Sequence, residues 1–341
     1  MNFEPSRPVD LAQRADRALG AYLGLAIGDA LGATVEFLRP REIQNQYGIH
    51  RDIIGGGWLK LARGQVTDDT TMSLALGDAL VAGGPAALRR CLDGDDTLVR
   101  DIGHAYVRWW RGKPVDCGNT CRRGIQRFVR DGSLEGPLSD GDGGNGALMR
   151  NLPAALATLG QPAALARLSV AQAHLTHHHP LSDVATVDLG ALTQALVLGW
   201  GATERTAWVA DWVATHRVFS YAPYPGRASG YVVDTVQTVL HSLSVGADFE
   251  QAVITAVNQG DDADTTGALV GMLAGAECGA SALPARWVQR LQADTVRAIT
   301  QQTHALLALA DAWPALPVLG PLAQSAPLVG ASLPTDAPSA V

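Results

Sequence analysis

Gln65-Val66-Thr67-Asp68-Asp69-Thr70-Thr71-Met72 packs two carboxylates and three hydroxyls into five consecutive positions. Met72, Ala75, Leu76, Ala79 and Leu80 follow at three-and-four spacing, which predicts an amphipathic helix with the acids at its N-terminus. An echo stands far downstream in Gly260-Asp261-Asp262-Ala263-Asp264-Thr265-Thr266-Gly267, again ahead of an apolar helical run. One reading makes Thr67 and Asp264 ordinary N-caps, with neighbouring acids favouring the helix dipole. The other starts from repulsion, because carboxylates this crowded need a cation between them. Every donor is an oxygen and no Cys or His is interleaved, which selects Mg²⁺ or Mn²⁺ over zinc. Two such clusters, converging from opposite ends of the chain, could hold two metals and activate a water. Asp and Thr occupy the same places in both, and that favours the metal reading.

Working outward, helical periodicity dominates. Leu19, Tyr22, Leu23, Ala26 and Ile27 form a first helix running into Gly28-Asp29-Ala30-Leu31-Gly32, with Glu36 just beyond. The glycines there permit close backbone approach or a break, and they leave Asp29 and Glu36 as acids in an apolar setting. A glycine-rich loop, Ile53-Ile54-Gly55-Gly56-Gly57-Trp58, leads to the first acid cluster. Further helices are expected over 97–111, 117–130, from Asn151 (Pro153 suiting a first turn), 161–175, 186–200, 231–243, 267–280 and 285–313. A loop rich in Gly and Asp spans Asp131 to Gly146. Alternating strand patterns are almost absent, so the expected fold is all-α. The expected organisation is a flexible segment over 1–15, one domain over 16–313, and a disordered Pro/Ala-rich tail over 314–341.

Composition narrows the function. The chain has 341 residues, 47% hydrophobic, enough for a large core. A net charge of −7 argues against nucleic acid as the partner. No apolar run reads as a transmembrane segment, and the polar opening Met1-Asn2-Phe3-Glu4-Pro5 reads as no signal peptide, so the expected location is cytoplasmic. Cys91, Cys117, Cys121 and Cys278 are too few for a disulfide framework and are expected to be reduced and structural.

Three other motifs invite chemistry. Gly141-Asp142-Gly143-Gly144-Asn145-Gly146 matches G-x-G-x-x-G, yet polar Leu138-Ser139-Asp140 replaces the strand that a dinucleotide site requires. A loop whose amides hold a phosphate remains open. In Thr176-His177-His178-His179-Pro180 the adjacent imidazoles point in different directions, so a helix-end role or a single positioned imidazole is expected rather than a shared ion. Asp116, ahead of Cys117-Gly118-Asn119-Thr120-Cys121-Arg122-Arg123, could cap a helix or act as a general base. The chemistry alone gives a dinuclear hard-metal centre, with phosphoester hydrolysis and cleavage of a ribosyl bond both open.

Taken together, Gly28-Asp29-Ala30-Leu31-Gly32 with Glu36, Thr67-Asp68-Asp69-Thr70, Gly118-Asn119-Thr120, Gly144-Asn145-Gly146-Ala147-Leu148-Met149-Arg150, Thr176-His177-His178-His179-Pro180 and Asp262-Ala263-Asp264-Thr265 resemble the ADP-ribosylglycohydrolase family, in the family's order. The resemblance implies a single compact orthogonal helical bundle with two Mn²⁺ or Mg²⁺ ions in a cleft. It implies Thr67, Asp68, Asp69, Asp262, Asp264 and Thr265 as metal ligands. Glu36, Asp69 and Asp116 would be catalytic. Asn119, Thr120, Asn145, Gly146, Met149, His177 and Tyr231 would bind substrate. Gln46-Tyr47-Gly48-Ile49-His50-Arg51 and the stretch from Pro114 to Gly124 resemble the branch of the family that removes ADP-ribose from an arginine of the nitrogenase iron protein. That branch implies a monomer controlled by a PII signalling protein at the ammonium channel, with reversible membrane association. The alternatives are hydrolysis of another ADP-ribosyl linkage and a dimetal phosphohydrolase. Two positions depart from the family pattern: Asp261 stands where a small residue is usual, and His178 where a polar amide is common.

Overall fold

Asp10 accepts from the Gln13 amide while the Gln13 side chain accepts from the Asp10 amide, and this reciprocal cap starts helix α1 at Leu11. The computed structural model describes residues 9–313. Ordered structure therefore begins inside the segment expected to be flexible, because the Asp10–Gln13 box went unread. The expected tail over 314–341 lies outside the described residues.

The chain runs through α1 (Leu11–Gly32), α2 (Pro40–Tyr47), α3 (Asp68–Leu92), α4 (Thr97–Arg111), α5 (Asn119–Asp131), α6 (Leu152–Ala157), α7 (Pro162–His174), α8 (Pro180–Val197), α9 (Ala202–Thr215), α10 (Val232–Val245), α11 (Phe249–Val257), α12 (Ala263–Cys278), α13 (Ala285–Val288) and α14 (Ala293–Asp311). Among the described residues there is no strand, only the isolated bridges Gly56↔Leu61 and Gly144↔Tyr231. The all-α expectation holds.

Helices α2 and α9 escaped periodicity because each buries little: Ile43 alone on α2, and Trp208, Val209 and Trp212 on α9. Helix α11, also unexpected, is short and buried along most of its length, from Phe249 to Val257, so no polar face marks it. The helix expected over 285–313 is broken between Val288 and Ala293. Tertiary contact explains the break, since the Gln292 amide donates to the Gly64 carbonyl at 3.2 Å. Cys117 falls outside α5, which starts two residues later than expected.

The architecture turns on a seam of glycines. Gly20, Gly24, Gly28 and Gly32 of α1 recur every fourth residue, on one face. They meet Gly275, Gly271, Gly267 and Ala263 of α12 in reverse order, so the helices run antiparallel in backbone contact. A Cβ on Gly24 would stand 2.1 Å from the Gly271 carbonyl oxygen, and one on Gly32 2.1 Å from that of Ala263. Neither helix shows one polar face here, because both are wrapped by the core: every residue from Gly20 to Gly32 and from Ala263 to Ala276 is buried. At the other side of α1 the Tyr22 hydroxyl donates to Gln302 of α14 at 2.7 Å, and Gln302 donates onward to the Leu74 carbonyl and Asp78 of α3. The functional result is geometric. The C-terminal end of α1, carrying Asp29 and Glu36, is held against the N-terminal end of α12, carrying Asp262 and Asp264.

By length and hydropathy α3 could cross a membrane. It instead opens on Asp68 and Asp69, breaks at Gly84-Pro85, and packs on α4 and α14 as a core helix.

Candidate active site

Asp29, from α1, does the capping work at the head of α3. Its carboxylate accepts from the Thr67 amide at 2.9 Å, the Thr70 amide at 3.1 Å and the Thr70 hydroxyl at 2.5 Å. Thr67 occupies the N-cap position yet its side chain makes no cap bond, and the same holds for Asp262 at the head of α12. Asp264 accepts only from the neighbouring Thr265 amide among first-turn donors. The plain capping reading of the two clusters therefore fails: an acid from a third helix end meets α3's orphan amides, and both clusters face each other.

The Thr67 hydroxyl stands 3.3 Å from Asp69 Oδ2 and 3.4 Å from Asp264 Oδ2, and the Thr265 hydroxyl 3.3 Å from Asp69 Oδ2. These spacings are long for O–H···O bonds, which centre near about 2.7–2.8 Å. Ligand oxygens sharing a hard octahedral cation lie about 3 Å apart, given bonds of roughly 2.0–2.1 Å. Asp69 Oδ1 is buried with no partner. Oxygens of Glu36, Asp262 and Asp264 all lie within 4.8 Å of one another. A buried, unpartnered carboxylate oxygen in an all-oxygen cluster is the signature of a site built for a hard divalent cation.

Electrostatics agree. Burial pushes Asp68 up to about 7, reinforced by the Asp116 charge. Burial likewise raises Asp262 to about 6, Glu36 to about 8 and Asp29 to about 6. Asp69 and Asp264 are driven well above the carboxylate range by desolvation and then by one another's neighbours. Asp116 is raised by burial more moderately.

The cluster floors a cleft of about 540 Å³, the size of a small-molecule site. Glu36, Asp68, Asp69, Asp116, Asn119, Thr120, Asn145, Gly146, Met149, His177, Asp262, Asp264 and Thr265 all line it. Thr67 is fully buried beneath the lining. Tyr231 does not line the cleft: it stands at the head of α10 with its ring 43% exposed, bridged through its backbone to Gly144. Asn145 acts partly behind the lining, donating to Asp262 and, at 2.9 Å, to the Thr235 hydroxyl. Asp68 accepts from the Gly118 amide at 3.2 Å, which ties the head of α5 to the cluster.

The loop 141–146 follows a short 3₁₀ turn, not a strand, which removes the dinucleotide reading. Its Gly141 and Asp142 amides donate to Ser139 and its Asn145 amide to the Gly230 carbonyl. The three histidines part ways as their spacing suggested. His177 lines the cleft, paired through Nδ1 to the Thr176 hydroxyl at 2.8 Å and held neutral by burial and the Arg150 charge. His178 turns away, its Nδ1 donating to the Gly136 carbonyl, and His179 caps α8. Asp261 is solvent-exposed in the left-handed conformation, φ 56°. That backbone explains why a small residue, glycine above all, suits the position.

Two aromatic residues were missed. Phe37 and Trp58 line the cleft mouth, 61% and 52% exposed, with ring centroids 5.3 Å apart. Trp58 Nε1 donates to Glu36 Oε2 at 2.6 Å. The signal was faint: a tryptophan closing a glycine run, and an aromatic directly after the isolated Glu36. Cys117 and Cys121, expected to be structural, are free thiols that both line the cleft.

Comparison with known proteins places this geometry. A family model described as ADP-ribosylglycohydrolase matches residues 10–316. The chain is 53% identical over 295 residues to the ADP-ribosyl-[dinitrogen reductase] glycohydrolase of Rhodospirillum rubrum, covering 86% of this chain and 97% of that protein. It is 34% identical to the ADP-ribosylarginine hydrolase Tri1 of Pseudomonas putida (strain GB-1), over 82% of this chain and 75% of the relative. Among solved structures it is similar to an ADP-ribosylglycohydrolase-related protein complex, with a TM-score of 0.75 and 32% identity, covering 88% of this chain and 100% of the other.

Proposed function

The chain belongs to the ADP-ribosylglycohydrolase family, and we propose that it hydrolyses the N-glycosidic bond between ADP-ribose and an arginine side chain, reactivating dinitrogenase reductase, the nitrogenase iron protein. The observation that carries this reading is the buried Asp69, one oxygen unpartnered, between Thr67, Asp264 and Thr265 at the floor of the cleft.

Thr67, Asp68, Asp69, Asp262, Asp264 and Thr265 would hold two divalent cations, Mn²⁺ or Mg²⁺. Bound there, such ions supply Lewis acidity toward the ribose diol and toward water at neutral pH. The chain's own residues do the rest. Asn145 fixes the Asp262 carboxylate through its amide, so that acid cannot swing away from the cluster. Trp58 does the same for Glu36. Glu36 and Asp116 flank the cluster on opposite elements and are the groups able to take and return a proton, as paired acids do in glycoside hydrolysis. The guanidine leaving group carries its own charge, which lightens the demand for acid catalysis. His177, neutral, offers a hydrogen bond without adding charge, and Met149 and Gly146 leave a smooth wall for the nucleotide. Asn119 and Thr120, at the head of α5, present polar groups to the same cleft. We assign the rim Tyr231 the outermost contact.

The resemblance read from the sequence motivates a further part of the proposal. The protein acts as a cytoplasmic monomer, with a PII signalling protein and the ammonium channel as its regulatory partners. Co-purification from cells shifted to ammonium tests that assignment.

The defining experiment incubates the purified protein and Mn²⁺ with arginine-ADP-ribosylated iron protein and identifies both products by mass spectrometry. Free ADP-ribose with unmodified arginine, lost in Asp69→Ala and on chelation, is the expected result. Release of AMP or phosphate with the linkage intact would replace this reading with a phosphohydrolase.

A further inference from the structure

Four described residues other than glycine adopt positive φ: Phe37 at 63°, Lys60 at 55°, Lys113 at 56° and Asp261 at 56°. Each lines the cleft or stands within three residues of one that does: Lys60 beside Trp58, Lys113 before Asp116, Asp261 before Asp262. Left-handed backbone is costly for bulky side chains and concentrates where function requires an unusual display. Here it displays two kinds of group. Phe37 is held in place by its amide donating to the Asp261 carbonyl at 2.6 Å, and the Asp261 amide donates back to Leu38 at 2.8 Å. The outcome is an aromatic ring thrown into solvent beside the exposed Trp58, where burial would ordinarily favour both.

The second group is cationic. Lys60 and Lys113 are the only lysines in the chain, beside 24 arginines. Both are exposed with left-handed backbone, two residues after Trp58 and three before Asp116 of the cleft lining, and among the described residues neither forms an ion pair. Exposed Arg39, two residues from Phe37, adds a third charge. The chain as a whole is at −7 and the cleft floor is acidic, so this rim is of opposite sign to what surrounds it.

We propose that the Phe37–Trp58 pair with Lys60, Lys113 and Arg39 is a docking rim for an acidic protein surface surrounding the modified arginine. The inference rests on the arginine-hydrolase reading and deepens it by naming what the enzyme recognises beyond ADP-ribose. Continuity with the cleft selects the occupant: a scissile bond beside Glu36 places whatever bears the arginine directly over Phe37. Charge complementarity selects its chemistry, since the chain as a whole is acidic while Lys60, Lys113 and Arg39, with Arg122 of the cleft lining, put cations beside the aromatic pair. Aromatic residues and arginine are enriched in such contacts, within a polar rim.

The test uses the Mn²⁺-loaded enzyme and three substrates: free ADP-ribosylarginine, and ADP-ribosylarginine peptides flanked by glutamates or by lysines. The wild type should favour the acidic over the basic peptide by about tenfold in kcat/KM, with the preference shrinking as salt is raised. Lys60→Asp with Lys113→Asp, residues that tolerate the left-handed turn, should erase that preference while turnover of the free compound stays within about twofold. Lys60→Arg with Lys113→Arg should retain it. Equal loss on all three substrates would overturn the inference, because the lysines would then serve the ADP-ribose pyrophosphate. A wild type indifferent to peptide charge would overturn it directly, with no variant needed. Failure on the free compound as well would sink the arginine-hydrolase reading itself and this inference with it.

Discussion

Gly28 and Gly267 touch backbone to backbone: a Cβ on Gly28 would lie 1.9 Å from the Gly267 carbonyl oxygen. No rotamer relieves such a contact, because the clashing atom belongs to the main chain of a buried helix. Gly28→Ala should therefore cost about 3 kcal/mol or more of stability, the upper end of overpacking effects. Urea denaturation of the variant measures it. Gly48→Ala, at a half-buried glycine where an added Cβ meets no atom within 4 Å, provides a contrast in which only the backbone, φ 68°, contributes. Equal losses at both positions would mean that the seam is not the organising contact.

Removing an acid from the cluster should act in opposite directions on stability and function. Asp69→Asn puts a neutral side chain in place of a carboxyl that burial, and then Asp29, Asp68 and Asp262, make costly to ionise in the fold. The cation-free variant should melt higher than the cation-free wild type, while Mn²⁺ should raise its melting temperature far less and turnover should fall by more than about a hundredfold. Thermal melts in chelator and in Mn²⁺ read both effects, and a variant that melts lower in chelator would contradict the repulsion argument.

The pH dependence of the cation-free protein follows from the same acids. Asp29, Asp262, Asp68 and Glu36 titrate near 6, 6, 7 and 8 when folded, above the unfolded range of about 4. Between those values the native state keeps protons that the unfolded chain has released, so stability falls as pH rises. Buried His177 works in the opposite sense, below about pH 6.5. From about pH 6.5 to 8 the His177 effect is spent. His174, raised against desolvation by Asp183 and Glu135, adds there in the same sense as the acids. Melting temperature in chelator should therefore drop steadily, and Mn²⁺ should restore the part due to the acids. A flat profile would show that these acids are not protonated in the folded state.

Trp58→Phe keeps an aromatic ring at the mouth but removes the 2.6 Å hydrogen bond to Glu36. We expect kcat to fall about tenfold with little change in KM, the pattern of a mispositioned proton carrier. An unchanged kcat would remove Glu36 from that role.

Asp261→Gly should leave turnover intact and stabilise the protein by up to about 1 kcal/mol, since the left-handed turn favours glycine. Loss of activity would instead tie the Asp261 carboxylate to the cluster next to it.

Much of this was legible in the chain itself. The strongest signals were chemical: Thr67-Asp68-Asp69 and Asp262-Ala263-Asp264-Thr265 carry too much charge in too little space for an ordinary core. Long helices whose one face is apolar, α3 and α4 among them, announced themselves through periodicity. What stayed hidden depended on partners distant in sequence. Gly28 and Gly32 could be read as permitting close backbone approach or a break, but the four-residue repeat that pairs α1 with α12 shows only when each helix is seen as the other's complement. Asp29 could be recognised as an acid in an apolar setting, but its job as the cap of another helix requires the fold. Trp58 and Phe37 looked like loop residues because exposed aromatics leave no periodic trace. Tyr231 was placed in the pocket by motif position, and its backbone does border the cleft loop while its ring does not line the cavity.

The seam also sets a schedule for synthesis. Thr67 and Asp264, facing each other at 3.4 Å, are 197 residues apart in the chain. At translation rates of about 5–20 residues per second, the glycine groove of α1 waits on the order of tens of seconds before α12 leaves the ribosome to fill it. Throughout that interval the nascent chain carries an apolar helix with no mate and only the first of the two acid clusters. A chain that stops short of α12 therefore lacks Asp262, Asp264 and Thr265 altogether and leaves the groove of α1 unfilled.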